Sequence, residues 1–275
     1  MQPIFRLKNL ECSYLPNQPV LKVNDLTLHK GQLVFILGAS GIGKSTLIET
    51  LGLMNRTIVA KPTTSVQFIP EEKPLELKDF WETSQADLAT FREKYFSFIF
   101  QNTNLMPNFS AGENMCISQL IQGKTMEAAK VLVLQQMKDL RLEPEVFDKK
   151  ITDLSGGQRQ RLAFVRAITA DFSVLFGDEP TGNLDQSTAF QLMKVLKKKL
   201  KKHQRTGVIV SHNIELAHEF ADHIVLIEKE KNGQYGIIAK ENELHRDGEF
   251  FKTFDNQIIV DAKDFITKFL SLIHI

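Results

Sequence analysis

A glycine-rich loop near the N-terminus is the first feature that could do chemistry. Residues 38–45 fit the pattern G-x-x-x-x-G-K-[ST], in which backbone N–H groups approach phosphate oxygens closely. In this pattern the Lys44 ammonium reaches the β- and γ-phosphates of a nucleotide, and the Ser45 hydroxyl is a ligand of Mg²⁺. The loop therefore predicts a phosphate site. Its residues are Gly38, Ala39, Ser40, Gly41, Ile42, Gly43, Lys44, Ser45 and Thr46.

Two adjacent carboxylates are a second group of residues that could do chemistry. Asp178 and Glu179 follow an apolar run that reads as a strand, residues 173–176. In α/β sheets a ligand crevice opens at the carboxyl ends of such strands. Asp178 is thus a candidate ligand for Mg²⁺. Glu179, one residue further, is a candidate general base that polarises an attacking water.

The elements around these residues predict a parallel α/β sheet. Residues 33–37 form a continuous apolar run, typical of a strand buried on both faces, and a helix follows from Lys44. After residue 158, helices and strands alternate, which favours parallel pairing. Residues 4–14 and 20–28 read as two further strands joined by a turn, and residues 55–77 as a loop with one short strand.

A mainly helical segment interrupts this pattern between residues 101 and 150. Apolar residues recur there at intervals of three and four, which predicts one face of an amphipathic helix. This segment is expected to be a subdomain inserted between two strands of the core. The apolar stripe consists of Met126, Ala129, Val133, Met137 and Leu140.

Composition narrows the classes of function. The chain has 275 residues, 43% of them hydrophobic and 24% charged, with a formal net charge of +1, which gives no global argument for binding nucleic acid. Cys12 and Cys116 have no metal-ligand spacing, so free thiols in a reducing compartment are expected. No apolar run approaches the roughly 20 residues that span a bilayer, and residues 1–6 lack a signal pattern. We therefore expect a cytoplasmic protein. The basic run at residues 194–203 favours a solvated helix face, with anionic lipid and nucleic acid as the alternatives.

The pentapeptide Leu-Ser-Gly-Gly-Gln at residues 154–158 makes the motif set more specific. Placed between the phosphate loop and the acidic pair, it resembles the signature of the ATP-binding cassette (ABC) ATPases. The resemblance implies a P-loop NTPase core with a mainly parallel sheet, an N-terminal antiparallel β-subdomain and an inserted helical subdomain. It also implies ATP and Mg²⁺ as cofactors. The signature residues that would bind the ATP of the opposite subunit are Ser155, Gly156, Gly157 and Gln158.

The same resemblance assigns roles to residues outside these motifs. Gln101 is similar to the glutamine that contacts Mg²⁺ and the attacking water. His212, after a strand, is similar to the histidine that contacts the γ-phosphate. Asp185 resembles a residue of the dimer interface, and Tyr14 occupies the place of the aromatic that stacks on adenine. Catalysis is thereby expected from Glu179, His212 and Gln101, and Mg²⁺ ligation from Ser45, Gln101 and Asp178.

Details within the motifs resemble one subgroup, the ATPases of lipoprotein-releasing, macrolide-exporting and cell-division systems. These details are the sequences around residues 98–107, 113–114 and 177–185. Permeases of this subgroup have few transmembrane helices and a large extracytoplasmic domain. The chain departs from the pattern at residues 56–79, which contain no glycine, so the antiparallel β-subdomain is expected to be reshaped there.

The expected domain organisation is an ABC nucleotide-binding domain at residues 1–246, with its helical subdomain at about residues 102–156, and a helical C-terminal extension at residues 247–275. The extension has an apolar stripe that favours docking to the core or to a partner. The stripe consists of Phe265, Ile266, Phe269, Leu270 and Ile273.

The resemblance implies an ATP-hydrolysing subunit that works as a dimer, with a homodimer favoured, on an integral membrane permease. It would lie peripherally on the inner face of the cell membrane, with the surface around residues 101–114 receiving the permease. No nucleic-acid partner is expected. Two alternatives stay open: a soluble ABC ATPase in nucleic-acid or ribosome-associated work, and a regulatory cassette with little turnover.

Overall fold

The computed structural model describes residues 1–230 and 233–272. Within them the chain forms the predicted α/β fold, with a curled sheet of thirteen strands and eight α-helices. The strands are β1 (Pro3–Leu15), β2 (Gln18–His29), β3 (Leu33–Gly38), β4 (Ser65–Phe68), β5 (Leu75–Glu76), β6 (Phe96–Ile99), β7 (Val174–Asp178), β8 (Thr206–Val210), β9 (His223–Lys229), β10 (Gly236–Ile238), β11 (Glu243–Asp247), β12 (Phe250–Thr253) and β13 (Ile258–Ile259). The helices are α1 (Lys44–Leu51), α2 (Gln85–Tyr95), α3 (Ala111–Ile121), α4 (Met126–Asp139), α5 (Gly156–Thr169), α6 (Gln186–His203), α7 (Ile214–Phe220) and α8 (Ala262–Leu272).

Five parallel strands lie next to one another in the sheet, in the order β6-β7-β8-β3-β9. Every residue of β3 and of β8 is buried, because helices or other strands cover both faces. That burial explains why the two strands read as unbroken apolar runs in the sequence. The carboxyl ends of the five strands meet at one edge of the sheet.

An antiparallel region continues the sheet from the other side of β9. Strand β2 pairs with β10 and with β1, and β1 pairs with β4, which in turn pairs with β5. The expectation of one short strand in residues 55–77 was wrong, because two are present. Val66 and Phe68 are buried there between half-buried Ser65 and Gln67, an alternation too short to predict a strand from sequence alone. The antiparallel hairpin therefore persists in the segment that lacks glycine.

Helices α3 and α4 lie in the predicted helical segment, between β6 and β7. Each begins at a side-chain cap, Ser110 for α3 and Thr125 for α4. Of the five residues of the predicted apolar stripe, Ala129, Val133, Met137 and Leu140 are buried. Met126 is exposed because it is the first residue of α4, beyond the part of the helix that packs.

The sheet separates two hydrophobic cores. One core packs β3 and β8 against the face that carries α1 and the antiparallel strands, and it contains a group of aromatic rings. The rings of Phe5, Phe68, Phe96 and Phe176 lie within 5.0 to 6.4 Å of one another in most pairings. The other core packs the opposite face against α3, α4, α5 and α6. Both cores hold the strand ends in fixed positions, which is the requirement for a precise site.

The predicted basic run lies on α6. Leu196 and Leu200 are buried on its inner side, and Lys197 forms an ion pair with Asp222 at 3.1 Å. Lys194, Lys198, Lys201 and Lys202 are exposed, so most of the run is a solvated helix face, as predicted.

The C-terminal extension is less helical than expected. Residues 250–253 and 258–259 form β12 and β13, an antiparallel continuation of β11, and α8 is the only helix in the described part of the extension, residues 247–272. Ile266 is fully buried in the core, and Phe265, Phe269 and Leu270 pack against it. The predicted apolar stripe thus docks to the body of the chain, except for Ile273, which lies outside the described residues.

Among residues 1–230 and 233–272, no helix combines the length and the apolar character that crossing a membrane would require.

The docking of α8 gives the first prediction. Replacing Ile266 with Ala removes a fully buried side chain, so we expect the docking of α8 to lose about 2 to 4 kcal/mol. Hydrogen exchange of the α8 amides should accelerate accordingly. Val260→Ala, at a residue that is 79% exposed, is the matched control and should leave exchange unchanged. Equal protection of α8 in both variants would show that Ile266 does not hold the helix.

Candidate nucleotide site

The register of three parallel strands brings the predicted site residues to one edge. Val210 of β8 is paired with Ile36 of β3 on one side and with Asp178 of β7 on the other. The backbone N–H of Glu179 donates to the Val210 carbonyl at 3.0 Å, and that of Ser211 donates to the Ile36 carbonyl at 3.2 Å. The phosphate loop, the acidic pair and His212 therefore leave the sheet at the same level.

The phosphate loop depends on glycine at one position in particular. Gly43 has a φ of 100°, and a Cβ there would lie 3.1 Å from the Val20 carbonyl oxygen and from Leu21 Cβ. Gly43 is also the N-cap of α1, and no side chain caps the helix. The first N–H groups of α1 are thus available to an anion. Lys44 Nζ donates to the carbonyls of Gly38 and Ala39 at 2.9 and 2.7 Å, which folds its ammonium across the loop.

A cavity of about 210 Å³ opens at this edge. The Ser45 hydroxyl, the Gln101 amide and the Asp178 carboxylate all line it, and oxygen donors of these kinds suit Mg²⁺. Gly38, Ala39 and Ile42 do not line the cavity. The buried Ile42 side chain lies beside Gly38, where a Cβ would be 3.1 Å from Ile42 Cγ2. The predicted residues that line the cavity are Ser40, Gly41, Gly43, Lys44, Ser45, Thr46, Gln101, Asp178, Glu179 and His212.

Glu179 has an unusual backbone conformation. Its φ is +46°, in the left-handed region that residues other than glycine seldom adopt. The conformation turns the chain at the end of β7, and the Glu179 carbonyl accepts a hydrogen bond from Gly182 at 3.1 Å. The turn directs the carboxylate into the cavity rather than along the strand. Such strain is common where a side chain must be aimed at a reacting group.

The Glu179 carboxylate has one oxygen without a hydrogen-bond partner in the described part of the chain. Oε2 accepts a long hydrogen bond from the backbone N–H of His212, at 3.4 Å. Oε1 is buried, and His212 Nε2 lies 3.1 Å from it without the alignment of a hydrogen bond. A buried carboxylate oxygen with free acceptor capacity is what a general base requires.

Burial controls the ionisation of this group. Desolvation raises the pKa of Glu179 above its usual range, and the charge of Asp178 raises it further, while the His212 N–H and Lys44 oppose the change. Desolvation also lowers the pKa of His212, with a further decrease from the charge of Lys44. The pKa of Lys44 is likewise lowered by burial. His212 is thus a neutral imidazole near Glu179, and the pair is not a charged salt bridge at neutral pH.

Three of the predicted features, the signature, Asp185 and Tyr14, do not line the cavity. Ser155 is the N-cap of α5, and its hydroxyl accepts from the Gln158 N–H at 3.2 Å in a capping box. A Cβ added at Gly156 would meet no atom within 4 Å, and one added at Gly157 would meet only Leu184. These signature residues do not line the cavity of their own chain. The signature therefore presents a small, open surface elsewhere.

Asp185 and Tyr14 also lie apart from the cavity. Asp185 is the N-cap of α6, where hydrogen bonds from Thr188 and Ser187 lower the pKa of its carboxyl. Tyr14 is 55% exposed, and its hydroxyl lies 3.3 Å from Thr46 Oγ1, which places the ring beside the start of α1.

Two buried residues on α5 were missed by the sequence analysis. Gln160 donates to the Pro180 carbonyl at 2.6 Å, next to Glu179. Arg166 donates to the carbonyls of Thr103 and Asn104, both at 2.8 Å, just after Gln101. The helix that begins with the signature is thus hydrogen-bonded to the segments that follow Glu179 and Gln101. No pattern along α5 identifies these two residues, because their hydrogen-bond partners are remote in sequence.

Comparisons with known proteins agree with this geometry. The family model described as ABC transporter matches residues 21–182. The lipoprotein-releasing system ATP-binding protein LolD of Pseudoalteromonas translucida is 36% identical over 198 residues, which cover 72% of this chain and 80% of that protein. The similarly named LolD 2 of Chlorobium chlorochromatii is 35% identical, over 80% of this chain and 88% of that protein.

Solved structures give the same result at the level of the fold. The dimeric structure of MJ0796, a bacterial ABC transporter cassette, matches with a TM-score of 0.72 and 27% identity, covering 89% of this chain and 99% of that one. A post-hydrolysis dimer of the same cassette, bound to ADP and Pi, matches with a TM-score of 0.72 and 26% identity, with the same coverage.

The ionisation of Glu179 gives the second prediction. Because burial penalises its charged form, its carboxyl should take up a proton at a higher pH than the ordinary value of 4.5. Carbon-13 NMR of glutamate carboxyl groups, in the chain without nucleotide, measures this directly. The resonance that disappears in Glu179→Gln should titrate above 4.5. A midpoint at or below 4.5 for Glu179 would contradict the geometry.

Proposed function

Because the chain belongs to the ABC transporter family and is an ATP-binding, ATP-hydrolysing subunit, we propose that two copies close around two ATP molecules. This closure would move a separate membrane permease. Each ATP would lie between the phosphate loop of one copy and the signature of the other. Hydrolysis would then release the closed pair.

One observation carries this proposal. The cavity collects the phosphate loop, Gln101, Asp178, Glu179 and His212, but Ser155 and the other signature residues lie outside it. The chain therefore offers two separate half-sites. A second copy, related by a two-fold axis, can supply the missing half to each, and such isologous pairing is the commonest form of homodimer. The similarity to a cassette solved as a dimer supports the same arrangement.

Within each half-site we assign the following roles. The loop N–H groups and Lys44 would hold the β- and γ-phosphates. Ser45, Gln101 and Asp178 would hold Mg²⁺, which supplies positive charge to the phosphate oxygens. Glu179, with its free buried oxygen, would accept a proton from the attacking water.

His212 and Gln101 have positioning roles in this proposal. Neutral His212 can donate one hydrogen bond to a γ-phosphate oxygen, while its backbone N–H holds Glu179 in place. Gln101 is exposed at the mouth of the cavity, so its amide can contact both the metal and the water. Movement of the segment that follows Gln101 would therefore shift this amide relative to the metal and the water.

On the opposite side, the signature would complete the pocket. The N-terminus of α5 points its free N–H groups outward, and Gly156 and Gly157 leave space for a phosphate to approach. Asp185 would lie at the interface between the copies. Tyr14 would stack on the adenine, since its ring is exposed beside α1.

The segment after Gln101 is our candidate for the permease contact. Asn114 is fully buried, and its side chain bonds to the Met106 N–H and carbonyl at 2.7 and 3.0 Å. The loop is thus held rigidly, with the Met106 and Phe109 side chains 40% and 37% exposed. Arg166 connects this loop to α5, so a force on the loop can reach the signature. We propose a peripheral position on the inner face of the cell membrane, and no nucleic-acid partner.

The third prediction tests dimer closure. Glu179→Gln removes the base but keeps the shape of the side chain, so the variant should bind ATP, turn over little and form a stable ATP-dependent dimer. Light scattering coupled to gel filtration gives the mass, and phosphate release gives the turnover.

The control adds Ser155→Arg to that variant. A large side chain on the signature should block the opposite ATP, so the double variant should bind ATP and stay monomeric. Dimer closure would be refuted by a Glu179→Gln protein that remains monomeric at saturating ATP.

The fourth prediction tests the permease contact. Tagged Glu179→Gln protein, captured from detergent-solubilised membranes of its own cells with ATP, should bring down a permease that has few spans and a large extracytoplasmic domain. Adding Met106→Asp should reduce the recovered permease at least fivefold, because it places a charge on the exposed apolar surface. Ile121→Asp, at another exposed apolar residue, should not. Recovery of ribosomal or DNA-bound proteins alone would contradict the membrane role.

A further inference from the structure

Three side chains of metal-ligating types meet on a face of the sheet remote from the nucleotide cavity. His223 begins β9, and Glu243 and His245 lie two residues apart on β11. The two strands are antiparallel, with His245 opposite His223 and Glu243 opposite Val225. Because side chains alternate along a strand, Glu243 and His245 project to the same face as His223. The pairing of the two strands thus assembles the group.

The distances within the group are close to those of a coordination site. The candidate ligand atoms of all three residues lie within 4.8 Å of one another. Glu243 Oε2 lies 2.9 Å from His223 Nε2 and 3.7 Å from His245 Nε2. In a tetrahedral zinc site with bonds of about 2.0 to 2.1 Å, neighbouring ligand atoms are about 3.3 Å apart. Small rotations of the side chains would therefore suffice to place all three atoms around one cation.

His223 supplies an independent observation. Its side chain is fully buried, and neither ring nitrogen has a hydrogen-bond partner in the described part of the chain, although Glu243 is near. An imidazole without partners is costly to bury. Burial also keeps both histidines in the neutral form that binds metals, lowering the pKa of His223 to about 3 and that of His245 to about 4. A cation would satisfy the nitrogen that faces Glu243.

A cavity of about 530 Å³ gives access from solvent. Glu243 and His245 line it, as does His29 at the end of β2, while the His245 side chain is 38% exposed. Lys240 also lines the cavity, but it forms an ion pair with Asp25 at 3.3 Å, so its charge is balanced. Arg246 does not oppose a cation directly, since its guanidinium donates to the carbonyls of Ala221 and His218. The cavity therefore gives water access to Glu243 and His245.

We propose that His223, Glu243 and His245 form a binding site for a divalent transition-metal cation of the zinc class. Two imidazoles and one carboxylate are a ligand set that such cations take, with the fourth position left to water. The cation would fasten β11, and with it the C-terminal extension, to β9. His223 is also paired with Val34 of β3, the strand that leads to the phosphate loop. The site would therefore tie the extension to the catalytic core.

A structural alternative uses the same residues without a metal. Burial raises the pKa of Glu243 to about 7, so a protonated Glu243 could donate a hydrogen bond to His223. Glu243→Gln distinguishes the two cases, because the amide keeps the shape and a hydrogen-bond donor but is a poor ligand for zinc. If the alternative is correct, the chain with Glu243→Gln and the chain without it should respond to zinc in the same way.

The experiment is a titration with Zn²⁺ alone, followed by calorimetry, and with Co²⁺, followed by visible absorption. The full chain carries Asp178→Asn and His212→Ala, which remove ligands in the nucleotide cavity. We expect one equivalent of Zn²⁺, a Co²⁺ spectrum of tetrahedral type, and a rise in melting temperature with Zn²⁺. Glu243→Gln and His245→Ala should each weaken binding at least tenfold and abolish the rise.

His203→Ala is the matched control, because it removes an exposed histidine of α6, and it should leave Zn²⁺ binding unchanged. His245 is partly exposed, so its replacement should be tolerated by the fold. The proposal is overturned if Zn²⁺ does not bind, or if it binds equally to the chain with Glu243→Gln and to the chain without it.

Discussion

The parallel hydrogen-bonding register of β3, β8 and β7 is the constraint on which the nucleotide site depends. Val210 lies between Ile36 and Asp178. Asp178 and the residues that follow these three strands are the ones that could do chemistry. Backbone hydrogen bonds from Glu179 and Ser211 continue the register past the formal ends of the strands. A slip of one residue would invert the faces of a strand and separate the phosphate loop from the carboxylates. Both hydrophobic cores stabilise this register, because β3 and β8 are buried throughout.

Helix α5 connects this edge to the rest of the molecule. Its N-cap is Ser155, a residue of the signature. Gln160 donates a hydrogen bond to Pro180, and Arg166 donates to Thr103 and Asn104. Ser97 of β6 also donates to the Ala167 carbonyl at 2.9 Å. The surface that would face a second copy is thus joined by direct hydrogen bonds to the segments after Glu179 and Gln101. Under the proposed function, these hydrogen bonds would couple nucleotide chemistry to movement of the helical region.

The parts of the site that are local in sequence could be predicted from it. The phosphate loop, Asp178 and Glu179 follow apolar runs directly, so their neighbours along the chain identify their positions. The direction of the Glu179 side chain could not be predicted, because it depends on a left-handed backbone conformation at a residue that is not glycine. Arg166 donates to backbone carbonyls of a loop that is remote in sequence, and no periodicity identifies such a contact. The same holds for His223, Glu243 and His245, which meet only because β9 and β11 pair.

In the fold, too, the elements with a local sequence pattern could be predicted and the others could not. The buried strands and the stripe on α4 were predictable because their periods are clear over several residues. Strands β4, β5, β12 and β13 have two to four residues each, too few for a pattern, and their pairing with longer strands stabilises them. The extension was expected to be helical because its apolar residues recur at helical spacing, and that spacing is present only from residue 262 onward.

The most direct test of the central claim, that each ATP site is built from two copies, is chemical cross-linking between them. One preparation carries Ser40→Cys in the phosphate loop, and the other carries Gly157→Cys in the signature. The native Cys12 and Cys116 are buried, so they stay in place. We expect a short bismaleimide to join one chain of each kind, and ATP to increase the yield. Cross-links between two chains of the same kind, or a yield that ATP does not change, would contradict the claim.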